Sequence, residues 1–174
     1  RHKPSFLVEL GDFIGAAEAY SSLSQSAGPE DRSRYQALAM FAYLDGGDHQ
    51  AAADLMSTTT ADDKRENSLN SLALAALDRL ESGTGNAAAH LENVEPRKLT
   101  AYQRNIYYRT VARVAMFDQA FPAAVNAFVA ADAYVLPSTN RAALHLDTWR
   151  ALSHMSSKAI ATARASALGR ASGW

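Results

Sequence analysis

The stretch Leu44-Asp-Gly-Gly-Asp-His-Gln-Ala-Ala-Ala-Asp-Leu-Met56 reads as the end of one helix, a glycine turn and an alanine-rich start to the next. Gly46-Gly47 ends the first helix, because glycine takes the left-handed cap conformation without a Cβ penalty. Asp48 then stands where an N-cap is needed. The pattern recurs every 36 residues: the column through Leu44 is Val8, Leu44, Leu80, Met116 and Leu152, apolar throughout. The column through Ala51 is Gly15, Ala51, Ala87, Ala123 and Ala159, and its neighbour is Ala16, Ala52, Ala88, Ala124 and Ile160. The turn column is Gly11, Gly47 and Gly83, then Gln119 and Met155. Several columns in one register, over five copies, are the mark of a helical-hairpin solenoid.

Working outward, Ser5 to Ser24 carries Leu7, Leu10, Ile14, Ala17 and Tyr20 at helical spacing, with a break expected near Gly11. Ser26 to Glu30 is a connector, and Pro29 suits the first turn of the next helix, whose face is Tyr35, Leu38, Phe41 and Leu44. After the helix through Met56 and the run Thr58-Thr59-Thr60, Asp62 or Asp63 is expected to cap a helix to about Leu80. Its buried side is Leu69, Leu72, Ala73, Ala76, Leu77 and Leu80. Gly83 to Asn86 is a turn, Ala87 to Val94 a short helix, and Pro96 closes the unit. Thr100 with Gln103 fits a capping box for a helix to Phe117, and Pro122 starts the partner helix through Ala133. A loop at 136–139 leads to a helix over Asn140 to His154, and a last one over Ser156 to Leu168. Small residues at the repeating columns let helices cross closely, where larger side chains would overpack. The expectation is an all-α, tetratricopeptide-like and degenerate solenoid of about four to five units. Residues 1–168 form the domain, and 169–174 begin a linker to a domain not present.

A chain of 174 residues is long enough to bury a core. With no cysteine it has no disulfide, thiolate metal site or cysteine nucleophile. No apolar run is long enough to span a bilayer and no signal peptide is present. The chain opens on Arg1 rather than Met, as a fragment or processed chain would. The net charge of −1 hides a split: residues 1–95 hold 15 acids and 7 bases, residues 96–174 hold 3 acids and 10 bases. The halves are thus −8 and +7, a strong dipole whose basic end could steer an acidic partner. The basic residues lack the pattern of a nucleic-acid-binding module, so nucleic acid is not the expected partner.

Catalytic signals are missing. His2, His49, His90, His145 and His154 include no pair at zinc-helix spacing. Asp62-Asp63 and Asp45/Asp48 lie at helix ends, where carboxylates favour the N-terminal dipole. No nucleophile elbow or phosphate loop occurs, so neither an enzyme nor a cofactor is expected. One constellation remains. Arg97, Lys98, Arg104, Arg109 and Arg113 crowd a stretch free of acids and interleaved with Tyr102, Tyr107 and Tyr108. On a tetratricopeptide-like frame, Arg109, Arg113, His145 and Trp149 fall on equivalent positions of adjacent units. Arg and aromatic residues are the types that anchor partners, so Arg104, Tyr108, Arg109, Arg113 and His145 are the candidate partner-binding residues. The competing reading makes Trp149 and the tyrosines core, and the arginines exposed cations with buried stems.

Three segments carry a family resemblance: Gln103-Arg-Asn-Ile-Tyr-Tyr-Arg-Thr-Val-Ala112, Phe121-Pro-Ala-Ala-Val-Asn-Ala127, and Asn140-Arg141 with Thr148-Trp-Arg-Ala-Leu-Ser153. Together with the closing Gly173-Trp174, they resemble the N-terminal domain of LppC/LpoA-type lipoproteins. The resemblance implies an outer-membrane-anchored periplasmic protein that activates a class A penicillin-binding protein, a peptidoglycan synthase. It also implies that the main synthase contact belongs to a second, binding-protein-like domain outside this chain, with peptidoglycan as a further candidate partner. No family site residue maps onto a motif here. Two alternatives stay open: a solenoid groove that binds an acidic peptide through Arg109 and Arg113, and the helical part of a lytic transglycosylase.

Overall fold

A computed structural model describes residues 3–58, 68–81, 86–135, 138–162 and 164. All regular elements among them are helical. The chain divides into two compact units, Arg1–Glu95 and Pro96–Trp174. The boundary is the one at which the charge changes sign.

In the first unit, α1 (Pro4–Leu10), α2 (Phe13–Ser26), α3 (Pro29–Asp45), α4 (His49–Thr58), α5 (Ser68–Glu81) and α6 (Ala87–Glu92) follow one another. Helix α1 packs on α2, α2 on α3, α3 on α4 and α5 on α6, and α3 also packs on α5, joining one hairpin to the next. Ala16, Ala17, Ala39, Ala42, Ala52, Ala73 and Ala75 are fully buried, as are Phe41 and Leu72. The alanines let backbones approach while the two large side chains fill the space between them. A buried polar tie links hairpins as well: Asn70 Nδ2 on α5 donates to Ser33 Oγ on α3. Ser68 Oγ donates to Asn93 O at 3.4 Å and accepts from Glu95 N at 3.3 Å, fastening the start of α5 to the segment after α6.

In the second unit a 3₁₀ turn (Pro96–Lys98) precedes α7 (Ala101–Phe117), α8 (Phe121–Asp132) and α9 (Ser138–Ser153), and a helical turn follows at 157–162. Its core is Ala112, Ala124, Val125, Ala127, Phe128, Ala131, Leu144 and Ala151. Asn105 Nδ2 donates to Ala131 O at 2.9 Å, tying α7 to the last turn of α8.

The 36-residue period is visible as backbone geometry. Gly11 and Gly47 both have φ 80°, and Gln119 holds φ 57° in the same column. At each, two hydrogen bonds close the helix: Asp12 N to Leu7 O, Asp48 N to Tyr43 O and Ala120 N to Ala115 O, at 2.8–2.9 Å. Gly11, Gly47 and Gln119 in turn donate to Val8 O, Leu44 O and Met116 O. This pair of bonds is the Schellman cap, and its inner acceptors are the apolar column read from the sequence. In three copies the residue after the turn column caps the following helix. Asp12 Oδ1 accepts from Gly15 N and Asp48 Oδ1 from Ala51 N, both at 3.0 Å, and Ser156 Oγ accepts from Ala159 N at 3.2 Å. The first elbow therefore spends two residues between helices, and the second and fourth spend three.

The expected break near Gly11, the start at Pro29 and the capping box at Thr100 are all present. Several boundaries differ. Helix α9 begins at Ser138 rather than Asn140, and α6 stops at Glu92. The third copy is also displaced. Its second helix begins at Ala87, two residues later than the period requires, so Ala87 is buried and Ala88 is exposed. Asp62, Asp63, Gly83 and most of 163–174 lie outside the described residues.

Candidate interaction surface

The candidate residues sit on α7 and α9 of the second unit, in a chain of rings and ion pairs. Thr100 opens α7 with a reciprocal box: Thr100 N donates to Gln103 Oε1 at 2.9 Å, and Gln103 N to Thr100 Oγ1 at 3.4 Å. That fixes the helix start and brings Arg104 back over the 3₁₀ turn. Arg104 Nε donates to Pro96 O at 3.0 Å and its Nη2 to Arg97 O at 3.1 Å. The same guanidinium lies 5.6 Å from the Tyr134 ring centroid, within cation–π range. Tyr134 stacks on Tyr108 at 6.0 Å, and Tyr108 meets Tyr107 edge-on at 5.2 Å. Tyr108 is half-buried and packs on the core of this unit. Burial, with the Tyr108 hydroxyl second, raises the Tyr107 pKa above its ordinary value of 10.0.

The two acids near α9 are each shared by two basic groups. Asp147 meets Arg150 at 2.9 Å and Arg113 at 3.9 Å. Asp132 meets Arg141 at 3.1 Å and His145 at 3.3 Å. Arg109 Nη1 donates to Asn105 Oδ1 at 3.4 Å. All of these ion-paired side chains are partly or largely exposed, so each pair stabilises weakly. What they do is hold the cationic groups in place on a wet surface. Arg113 and His145 are thus anchored through different carboxylates, while Arg104 and Tyr108 belong to one stacked group.

Trp149 corrects one expectation. It is 70% exposed, so it is not a core residue, and Leu146 three residues earlier is 53% exposed. Their outward placement depends on which face of α9 meets α8, and spacing within α9 does not reveal that. Among the described residues no group of three metal-binding side chains occurs. A cavity of about 20 Å³ between Ser33, Met40, Leu55 and Leu74 holds about one water, well short of a ligand pocket. No helix among the described residues is long and apolar enough to cross a membrane.

These features define a class: a helical-hairpin repeat domain with a basic, aromatic surface on its second unit. The fold is that of the N-terminal domain of LpoA from Haemophilus influenzae. One structure of that isolated domain aligns with a TM-score of 0.64 at 21% identity, covering 84% of this chain and 67% of that domain. A second, solved at 1.35 Å, aligns at 0.62 with 83% and 66% covered. Full-length LpoA aligns at 0.63 and 21% identity, and the chain spans only 27% of its length. No protein-family model and no curated protein matches the sequence.

Proposed function

We propose that the chain is a non-enzymatic helical scaffold of a periplasmic, outer-membrane-anchored lipoprotein that activates a class A penicillin-binding protein. The observation that carries this reading is the fold shared with the LpoA N-terminal domain, at a TM-score of 0.64 over 84% of the chain. The segments at 103–112, 121–127 and 148–153 add to it through their family resemblance. The chain contains no cysteine, so a lipidated cysteine would lie outside it, as would the activating domain. The module's task in this reading is to position that domain and to offer the α7–α9 surface to the synthase or to peptidoglycan. Arg109, Arg113 and His145 make the contact, and Arg104 with Tyr108 shapes the surface behind them.

Binding of the purified chain to a class A synthase and to isolated peptidoglycan tests this. Synthase binding is expected, with affinity lowered about tenfold by the double substitution Arg109→Glu, Arg113→Glu, as for charged groups at an interface. Binding to neither target would remove the contact and leave a spacer. Unchanged affinity in the double variant would move the contact elsewhere.

A further inference from the structure

The cavity where α3, α4 and α5 meet is lined by two kinds of side chain. Met40, Leu55 and Leu74 give it apolar walls, and Ser33, Gln36 and Asn70 bring polar groups to it. Gln36 Oε1 is buried and meets no hydrogen-bond donor among the described residues. Ser33 is 6% exposed, and its Oγ accepts from Asn70 Nδ2. A hydroxyl that accepts in this way still has its own proton to give. Ser33 and Gln36 stand three residues apart on α3, so their side chains leave the helix on one face. The cavity thus brings together an acceptor without a donor and a hydroxyl with a proton to give.

Size and charge decide what can stand between them. A space of about 20 Å³ admits one water-sized group and no larger ligand. No charged side chain is among the described residues that line it, so a metal ion there would be a buried charge without a counter-charge. An apolar guest would leave Gln36 Oε1 without a donor, which buried carbonyl groups seldom are. We propose that the cavity binds a single water molecule, which donates to Gln36 Oε1 and accepts from the Ser33 hydroxyl. Two such partners are enough to hold a buried water. The hydrogen-bonded chain then runs from Asn70 on α5 through Ser33 and the water to Gln36 on α3. The contact of α3 with α5 is the one that joins successive hairpins. Alanine packed on alanine says little about which turn of one helix faces which turn of the other. A satisfied buried polar chain is met in one register only, so the water is a fixed part of the repeat junction.

Magnetic relaxation dispersion of the solvent nuclei tests this on the 174-residue chain, because it counts the waters held inside a protein. The Gln36→Met chain is expected to hold one water fewer than the unaltered chain. Methionine matches glutamine closely in length and in helix propensity, and unchanged helical circular dichroism checks the fold. Ser33→Ala, which also breaks the tie to Asn70, should lose the same water, so the double variant loses one and not two. A crystal structure of the unaltered chain should show a solvent peak about 2.7–3.0 Å from both the Gln36 side-chain amide and Ser33 Oγ. A cavity with no such peak overturns the proposal, as does a Gln36 amide that bonds directly to another protein group. An equal water count in the unaltered and Gln36→Met chains overturns it as well.

Discussion

Gln119 is the residue at which sequence and backbone part company. The turn column loses its glycine there, yet φ stays at 57°, in the left-handed region of Gly11 and Gly47 at 80°. A side chain in that conformation costs roughly 1–2 kcal/mol. It persists because Ala120 N still reaches Ala115 O at 2.8 Å and Gln119 N still reaches Met116 O at 3.2 Å, so the cap over-determines the angle. Gln119→Gly is expected to raise the unfolding free energy by about 1 kcal/mol, net of the extra freedom glycine has when unfolded. Urea denaturation reads it, and a fall in stability would show the turn to be relaxed already. The lesson for reading the sequence is local. A column can lose its diagnostic residue while its hydrogen bonds keep the conformation, so decay of the glycine pattern was not decay of the fold.

The elbows set what was legible among the helices. Capping chemistry acts over three residues, so Asp48 and the Thr100–Gln103 box could be read directly and are found in place. The two-residue delay of α6 could not, because Ala87 and Ala88 are interchangeable until their neighbours choose which one to bury. The same holds for the surface. The hydrogen bonds of Arg104 to Pro96 O and Arg97 O depend on a 3₁₀ turn, and the exposure of Trp149 on the packing of α9. Neither leaves a trace in spacing. The fourth elbow has no side-chain cap, since Ala120 occupies the N-cap of α8. Its φ of −81° and ψ of 57° nearly repeat the −81° and 72° of Asp12, whose carboxylate does cap. Ala120→Asp should therefore place a carboxylate oxygen against Ala123 N and stabilise the chain by about 1 kcal/mol. A thermal melt measures it, and an unchanged or lower midpoint would mean that the fourth elbow cannot admit the bond.

At the scale of the whole molecule, Tyr20 in the first unit and Tyr107 in the second each bind their proton more tightly in the fold. Burial raises the Tyr20 pKa above 10.0, with Arg34 opposing and Tyr35 adding, and burial does the same for Tyr107. As pH climbs past 10.0, the unfolded chain gives up these protons first, which favours unfolding. The tyrosine contribution is therefore complete below that value and drains away as pH rises through the folded-state pKa values. Tyr20→Phe and Tyr107→Phe should each flatten part of the alkaline decline in unfolding free energy; a decline of the same slope in both variants would assign it to other groups. The short elbows carry a consequence for how quickly the chain folds. Helices joined by a Schellman cap and an N-cap meet their partners across short stretches of sequence, so little loop entropy is lost in closing each hairpin. Contacts of this kind give low contact order and folding on the microsecond-to-millisecond scale of helical domains. Every elbow is then a place where folding can begin, and a newly made chain can start to organise before its last repeat exists.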